Sequence, residues 1–129
     1  MISVDTNVVV RLLTRDDERQ YKKAFRLFKN EDVFIAQTVL LECEWVLRYA
    51  YSFSAPEICR AFRRFLGMVN VHTDSPRMIH QALDWHEHGM DFADALHLSE
   101  SQHCDEMKTF DKKFVKKTAN LSSCPVTQL

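Results

Sequence analysis

Two aspartates come directly after short apolar segments of the chain. Asp5 follows residues 2–4, which read Ile-Ser-Val, and Asp111 follows residues 107–110, which read Met-Lys-Thr-Phe. Both segments are predicted to be β-strands, and in an open parallel sheet ligands bind beyond the carboxyl ends of the strands. We therefore expect both carboxylates at that edge of a sheet. Each could instead cap the helix that follows it, because Asp is a preferred N-cap residue.

A third carboxylate, Glu42, lies in a segment that is apolar nearly all round. This segment, residues 38–51, is predicted to be a heavily buried helix. A carboxylate on a buried face is costly unless it is paired or binds a cation. Glu44 has Arg48 four residues further on, which predicts an ordinary solvated helix pair. Glu42 is therefore the candidate functional residue, with a buried arginine or backbone amide as its alternative partner.

Asp91 and Asp94 are three residues apart and begin another predicted helix. Capping of that helix would account for Asp91 completely. Asp94 has Leu98 one turn further on, so its side of the helix is expected to turn inward. Asp94 is therefore the stronger candidate of the two for a role in chemistry.

The chemistry open to Asp5, Glu42, Asp94 and Asp111 depends on whether they converge. Two unit charges 4 Å apart repel by about 4 kcal/mol at an effective dielectric of 20, so four carboxylates in one pocket need protonation or a divalent cation. All-oxygen ligation with retained waters suits Mg²⁺ or Mn²⁺. A metal held in this way can activate water for hydrolysis of a phosphodiester without a protein nucleophile.

Strands alternating with helices are predicted to position these residues. An α/β fold with a parallel sheet and right-handed crossovers follows from that alternation. The length of 129 residues suits one domain covering 1–129. The predicted strands are residues 2–4, 33–36, 69–72 and 107–110, with a possible edge strand at 126–129, and helices fill most of the sequence between them.

Composition excludes several other classes of function. With two isolated glycines, the chain can build neither a Walker A loop nor a G-x-G-x-x-G turn. Its four cysteines form no C-x-x-C pair, and its six histidines form no H-E-x-x-H motif, so a zinc site is not expected. No apolar run reaches the ~18 residues of a membrane span, and residues 1–5 resemble no signal peptide. We therefore expect a cytoplasmic protein that makes no membrane contact.

The acidic residues lie in motifs that resemble those of PIN domains, and most closely the VapC-type toxin ribonucleases of toxin–antitoxin pairs. The matching stretches are D-T-N at 5–7, T-V-L-L-E at 38–42, D-F-A-D-A-L at 91–96 and T-F-D at 109–111. The resemblance implies a three-layer α/β/α PIN fold with four or five parallel strands in the order 3-2-1-4-5. It also implies metal-dependent endonucleolytic cleavage of RNA, with tRNA or rRNA as common substrates, a homodimer and a cognate antitoxin.

The same resemblance suggests roles for individual residues. Asp5 and Asp94 are the first metal ligands carried over, and Glu42 and Asp111 complete the acidic set directly or through water. Further residues inside the matching stretches are Thr6 and Thr109, as groups that orient ligands or water, and Asp91, whose role is less defined.

RNA binding requires positive charge near such an acidic site. Lys112, Lys113, Lys116 and Lys117 follow Asp111 directly, and the first three are our candidate RNA contacts. Contacts between lysine and phosphate make affinity depend on salt concentration. The alternative is a solvated helix face. A second basic cluster, with seven Lys and Arg residues, lies within positions 11–29.

Two other functions are compatible with these patterns. One is an RNA-processing or catalytically weak PIN domain that acts as an RNA- or protein-binding module. The other is a phosphoryl-transfer enzyme of the haloacid-dehalogenase or response-regulator type, which also places an aspartate after the first strand. The former type requires D-x-D, whereas Asp5 is followed by Thr6 and Asn7, and the latter matches poorly at residues 72–74.

Overall fold

A computed structural model describes all 129 residues. The chain forms two compact units, Met1–Pro76 and Arg77–Leu129. The expectation of one domain over the whole length stays a prediction. None of the helices is both long enough and apolar enough to cross a membrane.

The first unit contains a three-stranded parallel sheet in the order β1-β2-β3. Strand β1 pairs with β2 through Ile2 and Val33, and β2 pairs with β3 through Val33 and Val71. Its elements are β1 (Ile2–Ser3), α1 (Thr6–Thr14), α2 (Glu18–Asn30), β2 (Val33–Phe34), α3 (Gln37–Ala50), α4 (Ala55–Leu66) and β3 (Val71–His72).

The second unit contains a two-stranded parallel sheet. Strand β4 pairs with β5 through Met107 and Val126 and continues to Thr109 and Gln128. Its elements are α5 (Pro76–Glu87, which begins at the boundary), α6 (Phe92–Glu100), β4 (Met107–Thr109), α7 (Lys112–Lys117) and β5 (Val126–Gln128). All strand pairs of the protein are parallel, and the neighbour relations 3-2-1 and 4-5 are those expected.

Local sequence explains where several helices begin. Asp5, Asp17, Asp91 and Asp111 each accept a backbone N–H of the following first turn. Ser54 begins α4 with a complete capping box, described below. These caps matter for function because they fix the backbone immediately after β1 and β4.

The expectation that α3 is buried all round is wrong. Its buried residues are Leu40, Cys43, Glu44 and Leu47, which recur at the spacing of one helical face. Trp45 and Tyr49 lie outside that face and are 56% and 62% exposed. The apolar composition of the helix therefore exceeds what its neighbours α1 and α4 cover.

Candidate functional site

In the first unit, the acidic residues predicted from sequence lie next to one another. Asp5 is exposed at the N-cap of α1, where its Oδ1 accepts the Val8 N–H at 3.4 Å. The next residue, Thr6, is buried and donates its hydroxyl hydrogen to Oε1 of Glu42 on α3. The hydroxyl thus holds the Glu42 carboxylate beside the start of α1. The ligand-orienting role of Thr6 stays a prediction.

The buried thiol of Cys43 lies near the carboxylates of Glu42 and Asp5. Its Sγ donates to the carbonyl oxygen of Thr6 at 3.7 Å. Burial, together with the nearby negative charges of Glu42 and Asp5, raises the pKa of Cys43 to about 12. Cys43 is therefore a neutral thiol at physiological pH, and it is not a nucleophile.

The burial of Glu42 and Glu44 on α3 is the opposite of what the sequence predicted. Glu42 is exposed, whereas Glu44 is only 1% exposed. The predicted pair with Arg48 is confirmed, with Nε of Arg48 donating to Oε1 of Glu44 at 2.9 Å and to Oε2 at 3.2 Å. Glu44 lies on the same face as Leu40 and Leu47, so its carboxylate is buried, while the side chain of Arg48 is partly exposed. Glu42 is exposed, and its partner is the hydroxyl of the buried Thr6 instead of a buried arginine or backbone amide.

In the second unit, Asp94 is a half-buried carboxylate among other carboxylates. Burial raises its pKa, as do the charges of Asp91 and Asp111, while His97 and Lys117 lower it. Asp91 is the exposed N-cap of α6 and accepts the Asp94 N–H at 3.2 Å. The inward-turning side chain predicted for Asp94 is confirmed.

Asp111 is held in a tight turn between β4 and α7. Its N–H donates to Oγ1 of Thr109 at 3.0 Å, and its Oδ1 accepts the N–H groups of Lys113 at 2.9 Å and Phe114 at 3.2 Å. Thr109 therefore orients the backbone of Asp111 in this structure. The candidate RNA contacts Lys112, Lys113 and Lys116 are all exposed on α7.

The donor types of these residues suit a hard divalent cation. Each unit supplies carboxylate oxygens and no thiolate or imidazole set, which is the chemistry that Mg²⁺ and Mn²⁺ prefer. Burial, and then the charges of Asp91 and Asp111, raise the pKa of Asp94, and a cation beside this carboxyl group would favour its ionised form. No group of three or more His, Cys, Asp or Glu side chains is arranged to hold a metal ion. The residues therefore fit the metal by type, and the ligand set stays a prediction.

Parallel strands and intervening helices define an α/β fold, with carboxylates after β1 and β4. The PIN domain family model matches residues 2–120, and the chain belongs to the PIN domain family. PIN domains are generally metal-dependent ribonucleases. Comparisons with curated proteins and with solved structures find no match.

Proposed function

We propose that this protein is a Mg²⁺- or Mn²⁺-dependent endoribonuclease. The observation that carries the proposal is the placement of Asp5 and Asp111, each one intervening residue beyond the end of β1 or β4, in a chain of a nuclease-type family. Asp94 and Glu42 supply the remaining carboxylates of the PIN motif. The reaction is hydrolysis of an RNA phosphodiester bond.

Each residue has a distinct part in this proposal. Asp5, Asp94 and Asp111 hold the metal, and the Thr6 hydroxyl holds Glu42 in position to bind it directly or through water. When bound, such a metal lowers the pKa of a coordinated water and neutralises charge on the leaving oxygen. The α7 lysines contact RNA phosphates on either side of the cleaved bond.

We further propose that the protein is the toxin of a type II toxin–antitoxin pair, that it forms a homodimer, and that it cleaves tRNA or rRNA in the cytoplasm. All four cysteines are free, which suits a reducing compartment. The toxin role requires a cognate antitoxin that inhibits the nuclease.

An apolar groove in the first unit supports the existence of a protein partner. It has a volume of about 470 Å³, its lining includes Phe25, Phe28 and Phe65, and its basic lining residues are Lys29 and Arg64. Apolar grooves of this kind accept the apolar face of an amphipathic helix. Lys29 and Arg64 favour an acidic one. The partner is tested by co-purification with the product of an adjacent small reading frame, which Phe25→Asp should weaken.

The decisive experiment compares cleavage of total tRNA and rRNA fragments by wild type and Asp5→Asn, with Mg²⁺, Mn²⁺ or EDTA. We expect metal-dependent cutting by wild type and a reduction of more than about 100-fold in the variant, because loss of even an indirect metal contact costs 10- to 100-fold. Asn caps a helix about as well as Asp, so the fold should persist. Full activity of Asp5→Asn would contradict the assignment.

Sedimentation of the purified chain tests the homodimer.

Wild-type protein that binds RNA and metal but never cuts would instead support the catalytically weak binding module.

A further inference from the structure

Phe110 is the most exposed of the Phe, Trp and Tyr residues. It exposes 77% of its surface and lies between Thr109, which ends β4, and Asp111, the N-cap of α7. Burying a phenylalanine side chain is worth about 1.5–3 kcal/mol relative to leaving it in water. Phe110 stays exposed although its burial would stabilise the fold, and it is adjacent to Asp111, a proposed metal ligand.

The backbone on both sides of Phe110 is nevertheless well ordered. The Asp111 N–H donates to Thr109 Oγ1 at 3.0 Å, and the Asp111 carboxylate accepts the N–H groups of Lys113 and Phe114. The ring is therefore presented to solvent from a hydrogen-bonded turn. A group that is already positioned loses little further conformational entropy when a ligand packs against it.

The side chains that follow Phe110 favour a polyanionic ligand. Lys112, Lys113 and Lys116 are all exposed on the short helix α7. An aromatic ring beside several cations is the arrangement by which proteins bind single-stranded nucleic acid, since bases stack on the ring and cations attract the phosphates.

We propose that Phe110 stacks on an unpaired nucleobase of the RNA substrate beside the phosphate on which Asp111 acts. This inference rests on the proposed function and deepens it by naming the residue that contacts the base next to the cleaved bond. A base inside an A-form helix is paired and stacked on its neighbours, so its face is not available to the ring. Phe110 is then a specificity-determining residue, and the α7 lysines bind the flanking phosphates.

Steady-state cleavage tests the inference with Phe110→Ala, Phe110→Trp and the control Tyr49→Ala. Tyr49 is also an exposed aromatic, at 62%, but lies on α3 of the first unit. We expect Phe110→Ala to raise KM for a single-stranded oligoribonucleotide by about tenfold to 100-fold, with a smaller change in kcat. Phe110→Trp and Tyr49→Ala should keep wild-type KM. An unchanged KM in Phe110→Ala would overturn the inference and leave the nuclease assignment intact.

Fluorescence of Phe110→Trp in EDTA gives a second readout that requires no cleavage. The signal of the wild-type chain, which contains Trp45 and Trp85, is subtracted. We expect single-stranded RNA to quench the added tryptophan, and an abasic oligonucleotide of the same length to leave it unchanged. Equal quenching by RNA duplex, or no quenching by single strands, would overturn the inference. Quenching without any metal-dependent cleavage would refute the proposed catalysis but support the stacking contact.

Discussion

At the scale of single residues, one carboxylate can serve the fold and the proposed chemistry together. Asp5 and Asp111 cap α1 and α7 through one oxygen each, with the capping bonds to Val8, Lys113 and Phe114 all accepted by Oδ1. The second oxygen of each remains for a cation. Capping and metal binding are therefore compatible at both positions.

Glu42 and Glu44 provide a matched pair of substitutions at this scale. Glu42→Gln should abolish most cleavage and leave stability unchanged, because Glu42 is exposed. Glu44→Gln should keep the activity of the folded molecules but lose about 1–2 kcal/mol of unfolding free energy, since Arg48 loses its charged partner. This loss is set below the 3–5 kcal/mol of a fully buried pair, because the side chain of Arg48 is 34% exposed.

Cleavage assays and urea denaturation of both variants check this prediction. Each variant is the control for the other. A Glu44→Gln protein that is as stable as wild type but inactive would show that the functional glutamate is Glu44.

At the scale of elements, α4 shows how completely a local signal can define a helix end. The Ser54 hydroxyl accepts the Glu57 N–H at 3.3 Å, and the Glu57 carboxylate accepts the Ser54 N–H at 3.0 Å. Pro56 occupies the first turn, where its missing N–H costs nothing. The helix contributes Ile58, Phe62 and Phe65 to the core of the first unit.

Ser54→Ala should remove this capping box without affecting cleavage. We expect a loss of about 1 kcal/mol in unfolding free energy, measured by urea denaturation at neutral pH. Ser52→Ala is the neighbouring control, because Ser52 is exposed and caps no helix. Equal losses in both variants would contradict the capping role.

The capping box formed by Ser54 and Glu57 predicts that the stability of the fold depends on pH. The hydrogen bonds from the Ser54 backbone and side chain lower the pKa of Glu57. A carboxyl group whose folded-state pKa is lowered stabilises the fold above its unfolded-state pKa, and this contribution is lost as pH falls through the folded-state pKa. Ser54→Ala should therefore raise the pKa of Glu57 in an NMR titration and weaken the acid dependence of stability. An unchanged pKa of Glu57 in Ser54→Ala would contradict the role of the Ser54 side chain in lowering it.

At the scale of the whole molecule, each of the two units carries two of the candidate carboxylates. Asp5 and Glu42 belong to Met1–Pro76, and Asp94 and Asp111 to Arg77–Leu129. A cation that binds the folded chain stabilises it, because a ligand that binds only the native state shifts the unfolding equilibrium.

Thermal unfolding with and without metal measures the stabilisation of the folded chain by the cation. Mg²⁺ or Mn²⁺ at 100 times its dissociation constant should add about 2.7 kcal/mol of stability to wild type. Asp94→Asn should lose this increment, whereas Asp74→Asn, an exposed aspartate outside the candidate site, should keep it. An equal metal response in all three proteins would mean that the carboxylates do not hold the cation.

The strand and helix alternation and the caps at Asp5, Asp91 and Ser54 were predictable from the sequence, because they depend on residues within one turn of each other. The parallel pairing was predictable from the alternation itself, since a helix between two strands returns the chain so that the strands pair in parallel. The candidate carboxylates were also recognisable, because they lie inside contiguous motifs after β1 and β4 or on α3 and α6.

Only the tertiary structure decided which side of α3 is buried. Glu42 and Glu44 are two residues apart on a helix that is apolar nearly all round, and local pattern favoured burying Glu42. The packing of α1 and α4 instead buries Glu44 with Leu40 and Leu47, and leaves Glu42 and Trp45 exposed. The exposure of Phe110 was equally beyond the sequence, since an apolar residue ending a strand is ordinarily predicted to be core. Burial depends on which distant segments pack against a helix or strand. The spacing of residues along that helix or strand does not specify those segments.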